Sequence, residues 1–267
     1  MKILVTGHKG YIGSHVYKDL KNLEHEVVGI DLKDGKDIMH CLPDESFDYV
    51  FHLAAIPSVQ FSVDHPSYTL RQNVLVTSKL LEWAKSQGVK RVIYSSSAAA
   101  IDCVSPYGLH KKMSELECKL YSELYDLDTV CLRYFNVYSE DQPYGGSYST
   151  AVSSWMEMAR QGLPMRIDGD GEQTRDFVHV SDVVAANIFC MQSNAKFSGE
   201  IMDVGSGRSV SLNSIKEFLE KRGFTNWNRS PTRTGDARHS VADLRIISRI
   251  GWAPEVQITE GLIKCFK

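Results

Sequence analysis

Short apolar runs alternate with helical patterns in the first half of this chain, and this alternation constrains the fold more than any other feature. The runs are continuous and rich in β-branched and aromatic residues, as expected of strands that are covered on both faces. They lie at residues 3–5, 27–30, 49–53, 92–94 and 130–135. Helical patterns separate them at 11–22, 67–87 and 105–126. Because strand–helix alternation produces right-handed crossovers, we predict an α/β fold with a doubly wound parallel sheet.

The composition disfavours several classes of protein. The net charge of −3 lacks the basic excess that binds a phosphate backbone, so we expect no nucleic-acid partner. No stretch approaches the roughly 18 apolar residues of a membrane helix, so we expect no membrane partner. The first strand begins at residue 3, which predicts a cytoplasmic protein without a signal peptide.

The cysteines and histidines form no recognisable metal-binding pattern. None of the six cysteines forms a C-x-x-C pair, and the nine histidines include no H-E-x-x-H sequence. We therefore predict no metal site and expect reduced thiols, as in the cytoplasm.

A glycine-rich segment follows the first predicted strand and opens the first helix. Gly7, Gly10 and Gly13 have the spacing G-x-x-G-x-x-G, which lets the backbone turn tightly and approach a pyrophosphate at the helix N-terminus. Asp31 ends the second strand, where an acid can hydrogen-bond a ribose 2′-hydroxyl. The sheet is thus predicted to be of the Rossmann type and to bind NAD, while Lys33 nearby keeps NADP open.

A second constellation predicts proton transfer. Tyr107 and Lys111 are four residues apart, so on a helix the phenol and the ammonium share one face. A nearby cation lowers the pKa of a phenol, which can then accept a proton from a sugar hydroxyl. Ser97, in the run Ser95–Ser97 at the end of the fourth strand, can hydrogen-bond the same oxygen, with Ser96 as the alternative.

The sequence changes character near residue 140. Residues 139–150 are rich in Ser, Gly, Pro and Tyr, which is typical of a long functional loop. The last 70 or so residues mix two short helical patterns with turns. We predict a Rossmann domain of residues 1–143 and 175–196. A small C-terminal α/β substrate-binding domain would comprise residues 144–174 and 197–267.

Together these motifs resemble the extended short-chain dehydrogenase/reductase family, in its nucleotide-sugar epimerase/dehydratase branch. Further matches are H-L-A-A at 52–55, L-R-Y-F-N-V-Y at 132–138, G-D-G-E-Q-T-R-D-F-V-H-V at 169–180, R-T-G-D at 233–236 and G-W-A-P at 251–254. The matches extend over nearly the whole chain. Ser139 replaces the usual glycine after L-R-Y-F-N-V-Y.

The resemblance implies roles for individual residues. Ser97, Tyr107 and Lys111 would be catalytic. The residues implied to bind the cofactor are Gly7, Gly10, Tyr11, Ile12, Gly13, Asp31, Asp37, Ile38, Leu53, Ala54, Ala55, Asn73, Ser95, Tyr107, Lys111 and Tyr134. The residues implied to bind a nucleotide sugar are Ser97, Asn136, Arg175, Arg233 and Asp236.

The segment between Ser97 and Tyr107 departs from the family pattern. Tyr107 follows Ser97 by only ten positions, so the loop that normally walls the sugar pocket is missing. Ala98 and Ala99 stand where dehydratase relatives carry an Asp–Glu pair, which disfavours dehydration. The remaining set predicts a UDP-hexose 4-epimerase that acts through a transient 4-keto sugar. The alternatives are a nucleotide-sugar reductase or dehydrogenase with net NAD(P)H turnover, or a non-catalytic protein that binds NAD and a UDP-sugar.

The resemblance also implies a homodimer formed by two long helices. Leu109, Met113, Leu116 and Leu120 recur at three- and four-residue steps, and this apolar stripe is predicted to be buried. Leu75, Leu80, Leu81 and Trp83 form the corresponding pattern in 67–87. Either pattern could cover the core or a second subunit.

Overall fold

The computed structural model describes residues 1–145, 150–232 and 238–267. This part of the chain contains eleven strands. They are β1 (Lys2–Thr6), β2 (Glu26–Ile30), β3 (Tyr49–His52), β4 (Arg91–Ser97), β5 (Asp128–Tyr134), β6 (Asn136–Tyr138), β7 (Met165–Asp168), β8 (Thr174–His179), β9 (Glu200–Val204), β10 (Ser209–Ser211) and β11 (Trp227–Ser230).

The described residues also form twelve α-helices. They are α1 (Tyr11–Asn22), α2 (Ile38–Cys41), α3 (Val59–Asp64), α4 (Pro66–Leu70), α5 (Val76–Ser86), α6 (Ala99–Asp102), α7 (Pro106–Tyr125), α8 (Ala151–Arg160), α9 (Val180–Gln192), α10 (Leu212–Glu220), α11 (Arg245–Arg249) and α12 (Ile258–Cys265). A π-helical turn, Arg71–Leu75, joins α4 to α5. Within the described ranges, no helix has the length and apolar character that crossing a membrane would require.

Six strands form one parallel sheet in the order β2-β1-β3-β4-β5-β9. The chain reverses direction across the sheet between β1 and β3, which opens a crevice at the carboxyl ends of these strands. This sheet confirms the predicted doubly wound α/β fold.

Apolar side chains cover both faces of the sheet. Along β1, Ile3 and Val5 belong to one buried cluster, whereas Leu4 belongs to another. Successive strand residues point to opposite faces, so the two clusters are the two sides of the sheet. The continuous apolar runs of the sequence follow from this double coverage.

Two small sheets lie outside the large one. The order β10-β8-β6 describes a three-stranded sheet, and β11 pairs with β7 in a two-stranded one. A third apolar cluster, which includes Trp155, Ile215 and Leu262, packs around them. The domain boundary predicted at residue 197 is wrong for β9, because this strand pairs with β5 and completes the large sheet. The rest of the domain division remains a prediction.

The apolar stripe of α7 is exposed, contrary to the prediction that it is buried. Leu109, Met113, Leu116 and Leu120 are between 37% and 56% exposed. The opposite face of α7, which carries Tyr107, packs inward. In the earlier helix the outcome is mixed, because Leu75 is exposed whereas Leu80, Leu81 and Trp83 are buried in the core. Helical periodicity marks an apolar face but not what covers it.

A buried ion pair joins β4 to β5, and its arginine also binds the end of α9 and the residues that follow it. Arg91 Nε donates to Asp128 Oδ2 at 2.7 Å, and both side chains are about nine-tenths buried. The same guanidinium donates to the carbonyl oxygens of Cys190, Ser193 and Ala195. The Arg91 side chain therefore fixes the segment between α9 and β9 against β4.

We predict that Arg91→Met destabilises the protein by about 3 kcal/mol or more, because it leaves the Asp128 carboxylate buried without its cation. The free energy of unfolding in urea measures the change. Arg249→Met, at an exposed position, is the matched control and should change stability little. Equal stabilities of the two variants would contradict the assignment of Arg91 as a structural clamp.

Candidate active site

The glycine loop between β1 and α1 has no room for side chains. Gly7 has a φ of +73°, and a Cβ atom there would lie 2.7 Å from the Ala54 nitrogen. A Cβ on Gly13 would lie 2.0 Å from the Gly7 carbonyl oxygen. Gly10 caps α1 without a side-chain hydrogen bond, so no cap side chain occupies the N–H groups of the first turn. This cradle fits the pyrophosphate of a dinucleotide.

Asp31 lies against the same loop. Its two carboxylate oxygens accept hydrogen bonds from the backbone nitrogens of Lys9 (2.9 Å) and Lys33 (2.8 Å). The Lys33 ammonium donates to the Lys9 carbonyl at 2.8 Å. These contacts hold the acid beside the glycine loop, where the sequence predicts the cofactor ribose.

Two further cofactor candidates, Asp37 and Ile38, lie at the start of α2. Asp37 caps this helix by accepting a hydrogen bond from the Met39 nitrogen at 2.9 Å, and Ile38 is buried. Of the neighbours of the glycine loop on α1, Tyr11 hydrogen-bonds Ser139 Oγ at 2.6 Å, and Ile12 packs against the core. Ser139, which replaces the family's glycine, thus links α1 to the segment after β6.

The segment after β3, which contains Leu53, Ala54 and Ala55, is held from two sides. The Ala54 nitrogen donates to Thr6 Oγ1 at 3.3 Å. The Asn73 amide, in the π-helical turn, accepts from the Ile56 nitrogen at 2.7 Å and donates to the Ile56 carbonyl at 3.0 Å. Asn73 therefore fixes the backbone immediately after the segment predicted to line the cofactor site.

His52, which the sequence analysis did not select as a site residue, supports this segment from below. Its Nδ1 lies 2.7 Å from Thr6 Oγ1 and its Nε2 lies 3.0 Å from Thr77 Oγ1. Thr77 donates its only hydroxyl proton to the Asn73 carbonyl at 2.7 Å. The contact between Thr77 and His52 therefore requires a proton on Nε2 of His52. Nδ1 of the neutral ring then accepts a hydrogen bond from the Thr6 hydroxyl. Burial lowers the pKa of His52 to about 3, which keeps the imidazole neutral.

The predicted catalytic residues converge at the carboxyl end of β4. Ser97 is the last residue of the strand. Ser105 caps α7 and Pro106 opens it, which places Tyr107 in the first turn and Lys111 one turn later. Lys111 is buried, and its ammonium donates to the Ser95 carbonyl at 2.6 Å. The Tyr107 nitrogen donates to Ser62 Oγ at 3.0 Å, which anchors the start of α7 to α3.

The structure distinguishes the two candidate serines. The Ser96 hydroxyl is buried and donates to Glu115 Oε1 at 2.6 Å. Ser97 Oγ accepts a hydrogen bond from the Ala99 nitrogen at 3.2 Å, which leaves its hydroxyl proton for another acceptor. Ser97 therefore remains the better candidate.

The short connection from Ser97 to Tyr107 forms its own compact turn. Helix α6 begins two residues after Ser97, and the Ala98 nitrogen donates to the Tyr134 carbonyl at 3.0 Å. Cys103 ends α6 with a φ of +52°, a left-handed conformation that reverses the chain toward α7. Val104 in this turn is 76% exposed. This short connection joins β4 to α7 and supplies no loop that would close one side of the predicted sugar pocket.

Glu115 is a charged residue near the site that the sequence analysis missed. Its fully buried carboxylate accepts two hydrogen bonds from the Arg133 guanidinium, at 2.6 Å and 2.7 Å. A signal for it was present, since Glu115 follows Lys111 by one helical turn and shares its face. Burial lowers the pKa of Lys111 to about 8, and Glu115 provides the largest opposing effect.

The residues predicted to bind the nucleotide sugar are partly brought together. Asn136, on β6, donates to the Asp176 carbonyl at 2.8 Å, and Arg175 precedes Asp176 on the neighbouring strand β8. Tyr134, which the sequence assigns to the cofactor, donates to Asn187 Oδ1 at 3.0 Å. Arg233 and Asp236 lie outside the described residues.

Asp176 is a second residue that sequence reasoning missed. Its fully buried carboxylate accepts hydrogen bonds from the backbone nitrogens of Ser206, Gly207 and Ala242. It thereby holds the segments after β9 and before α11 against β8, beside the Asn136 and Arg175 positions.

Comparison with known proteins agrees with this geometry. A family model described as "NAD dependent epimerase/dehydratase family" matches residues 3–205. The chain belongs to this family. The predicted family resemblance is thus confirmed, and the glycine cradle fits the NAD on which the family depends.

Relatives match over nearly their whole length. A UDP-glucose 4-epimerase of Mycolicibacterium smegmatis is 31% identical, and the match covers 99% of this chain and 97% of the relative. The structure of UDP-glucose 4-epimerase from Thermotoga maritima with UDP-glucose has a TM-score of 0.89 and 32% identity, with 100% and 97% of the two chains covered. UDP-glucuronic acid 4-epimerase from Bacillus cereus, in complex with UDP-glucuronic acid and NAD, has a TM-score of 0.88 and 29% identity, with 100% and 98% covered.

We predict that Gly13→Ala weakens NAD binding at least about tenfold, because the new methyl group would displace the Gly7 carbonyl and deform the cradle. Equilibrium binding of NAD to the purified apoprotein measures this change. Ser14→Ala, on the exposed side of the same helical turn, is the control and should bind NAD normally. Unchanged affinity in Gly13→Ala would rule out the glycine loop as the pyrophosphate site.

Proposed function

We propose that this protein is a NAD-dependent UDP-hexose 4-epimerase. The observation that carries the proposal is the convergence at the end of β4, where Ser97 ends the strand and Lys111 is buried at Ser95. Tyr107 lies one helical turn before Lys111 on the same face of α7. The relatives named 4-epimerases, matched over almost the full chain, support the same activity.

In the proposed reaction Tyr107, as phenolate, accepts the proton of the sugar C4 hydroxyl. Ser97 donates a hydrogen bond to the same oxygen as it becomes a carbonyl. Bound NAD supplies the hydride chemistry at C4. Lys111 binds the nicotinamide ribose, and its positive charge favours the phenolate form of Tyr107. After the 4-keto sugar turns about its diphosphate, the opposite face of C4 would lie toward the cofactor. Tyr107 then returns the proton to the same C4 oxygen as C4 regains a hydride on that face.

The other predicted residues take supporting roles in this proposal. Asp31 would hold the adenosine ribose, beside the glycine cradle that receives the pyrophosphate. Asn136 and Arg175 would hold the sugar diphosphate, since amide and guanidinium donors suit phosphate oxygens. From the family pattern alone, we assign Arg233 to the same diphosphate and Asp236 to the nucleoside side of the substrate. The predicted reductase and the predicted non-catalytic protein gain no support from the relatives, which are named as epimerases.

We predict that Tyr107→Phe lowers epimerase turnover by about a thousandfold and retains bound NAD, because only the proton acceptor is lost. NMR of incubations with UDP-glucose, UDP-galactose and their N-acetyl forms identifies the C4 epimer. Absorbance of the reduced nicotinamide is followed in parallel.

Tyr125→Phe, at the exposed end of the same helix, is the matched control. Full activity in Tyr107→Phe would refute the assignment of the phenol. Steady net formation of NADH by the unmodified protein would instead favour a dehydrogenase.

We also propose that the enzyme is a cytoplasmic homodimer. The described cysteines are all free thiols, which fits a reducing compartment. Leu109, Leu116 and Leu120 of α7 form one exposed stripe, and Leu75 lies on the neighbouring π-helical turn. An apolar stripe of this length is typical of an interface, and a second copy of the same two helices would cover it.

We predict that Leu116→Asp combined with Leu120→Asp converts the dimer into a monomer, because two carboxylates would be buried at the interface. Size-exclusion chromatography with light scattering gives the molar mass. Leu163→Asp, at an exposed leucine before β7, is the control and should leave the mass unchanged. A dimer that survives the double substitution would place the interface elsewhere.

A further inference from the structure

Lys111 is a buried cation without an ion-pair partner in the described part of the chain. Its ammonium donates to the Ser95 carbonyl at 2.6 Å and lies 4.8 Å from the centre of the Tyr94 ring. Neither group carries a negative charge that would offset the loss of water around the ammonium. Burial alone favours the uncharged amine, because desolvation penalises the charged form.

The groups that face Lys111 from other elements are uncharged at neutral pH. From β3, His52 is neutral because burial lowers its pKa to about 3. From β4, burial raises the pKa of Tyr94 well above its usual range. From β5, a hydrogen bond with Cys118 and burial raise the pKa of Cys131, so that thiol stays protonated. On α7 itself the titratable groups near Lys111 are Tyr107, Cys118 and Glu115.

Glu115 is the acidic residue of this environment. It lies one turn after Lys111 on α7 and its side chain is fully buried. Four donor atoms hold its carboxylate: Arg133 Nε and Nη2, Ser96 Oγ and, at 3.3 Å, Lys112 Nζ. Charge-assisted hydrogen bonds from this many donors compensate the burial of a carboxylate.

We propose that Glu115 is a positioning residue whose buried negative charge keeps Lys111 in its ammonium form. The inference rests on the proposed function, because it assumes that the ammonium of Lys111 serves Tyr107. Arg133 on β5 and Ser96 on β4 contribute by holding the Glu115 carboxylate in place through their hydrogen bonds. Glu115 thus sets the pH range in which the Tyr107–Lys111 pair can work.

The sign of the effect follows from the charges. The ammonium of Lys111 is lost as the pH rises through its pKa, and a negative neighbour moves that pKa upward. Removing the charge of Glu115 lowers the pKa of Lys111 and, for the same reason, the pKa of the Tyr107 phenol. Both limbs of the pH profile of kcat/KM should therefore move to lower pH.

The test compares Glu115→Gln with the unmodified holoenzyme. We expect the alkaline limb of kcat/KM to move down by about one pH unit, within the range that a single nearby charge produces. The tyrosinate absorbance that disappears in Tyr107→Phe should titrate at lower pH by a similar amount. Glu117→Gln is the matched control, because Glu117 lies two positions along the same helix and hydrogen-bonds Ser78 instead.

A second variant guards against misfolding of Glu115→Gln. Glu115→Met combined with Arg133→Leu removes both members of the ion pair, which commonly preserves folding because no unpaired charge is left buried. A smaller downward shift than in Glu115→Gln is expected, because the positive charge of Arg133, which opposes that of Glu115, is lost as well. An unchanged pH profile in folded Glu115→Gln or, if that variant does not fold, in the double variant, with only a lower unfolding midpoint, would overturn the proposal and leave Glu115 as a structural residue.

The tyrosinate titration separates this inference from the proposed function. If the unmodified protein shows no epimerase activity, the proposed function fails. The titration of Tyr107 in Glu115→Gln still reports whether Glu115 controls the charge of the site, and an unchanged titration overturns the inference by itself.

Discussion

One transverse row of polar side chains across the central sheet is the constraint on which the rest of the site depends. The parallel register pairs Thr6 with His52, the last residues of β1 and β3, and pairs His52 with Tyr94 in the middle of β4. Paired residues of neighbouring strands point to the same face, so these side chains form one line. The row supports the segment predicted to line the cofactor, because Thr6 holds Ala54. It also carries Lys111, whose ammonium lies over the Tyr94 ring.

Burying a polar group of this kind is costly unless the group has a hydrogen-bond partner. His52 meets the requirement by remaining neutral between two threonines. Glu115 meets it through an ion pair and a serine hydroxyl. Among the described residues, the Lys111 ammonium contacts only uncharged groups, the Ser95 carbonyl and the Tyr94 ring. Whether it keeps its positive charge therefore depends on charged groups farther away. The chemistry expected of the site and the stability of the fold therefore depend on the same small set of contacts.

Helix α7 has two different faces along its length, one buried against the sheet and one exposed. Its inner face carries Tyr107, Lys111 and Glu115 against the sheet. Its outer face carries exposed leucines, and the short turn that precedes it exposes Val104. The position of the candidate catalytic side chains is thus linked, through one helix, to whatever covers the outer face.

Much of the fold and of the site could be predicted from the sequence. Continuous apolar runs determine a sheet buried on both faces, and the spacing of Gly7, Gly10 and Gly13 requires a close backbone approach after β1. The i, i+4 spacing places Tyr107 and Lys111 on one helix face, as the structure has them. These features are local, since each depends on residues close together along the chain.

Only the tertiary structure decided which faces are covered and which charges meet. The leucines of α7 have the period of a core helix, yet they are exposed because the opposite face packs on β4 and β5. The choice between Ser96 and Ser97 depends on Glu115, which lies 19 positions from Ser96 in the chain. The pairing of β9 with β5 likewise depends on the edge left open by the sheet. Local spacing determines the faces of an element, whereas contacts between distant segments determine what each face meets.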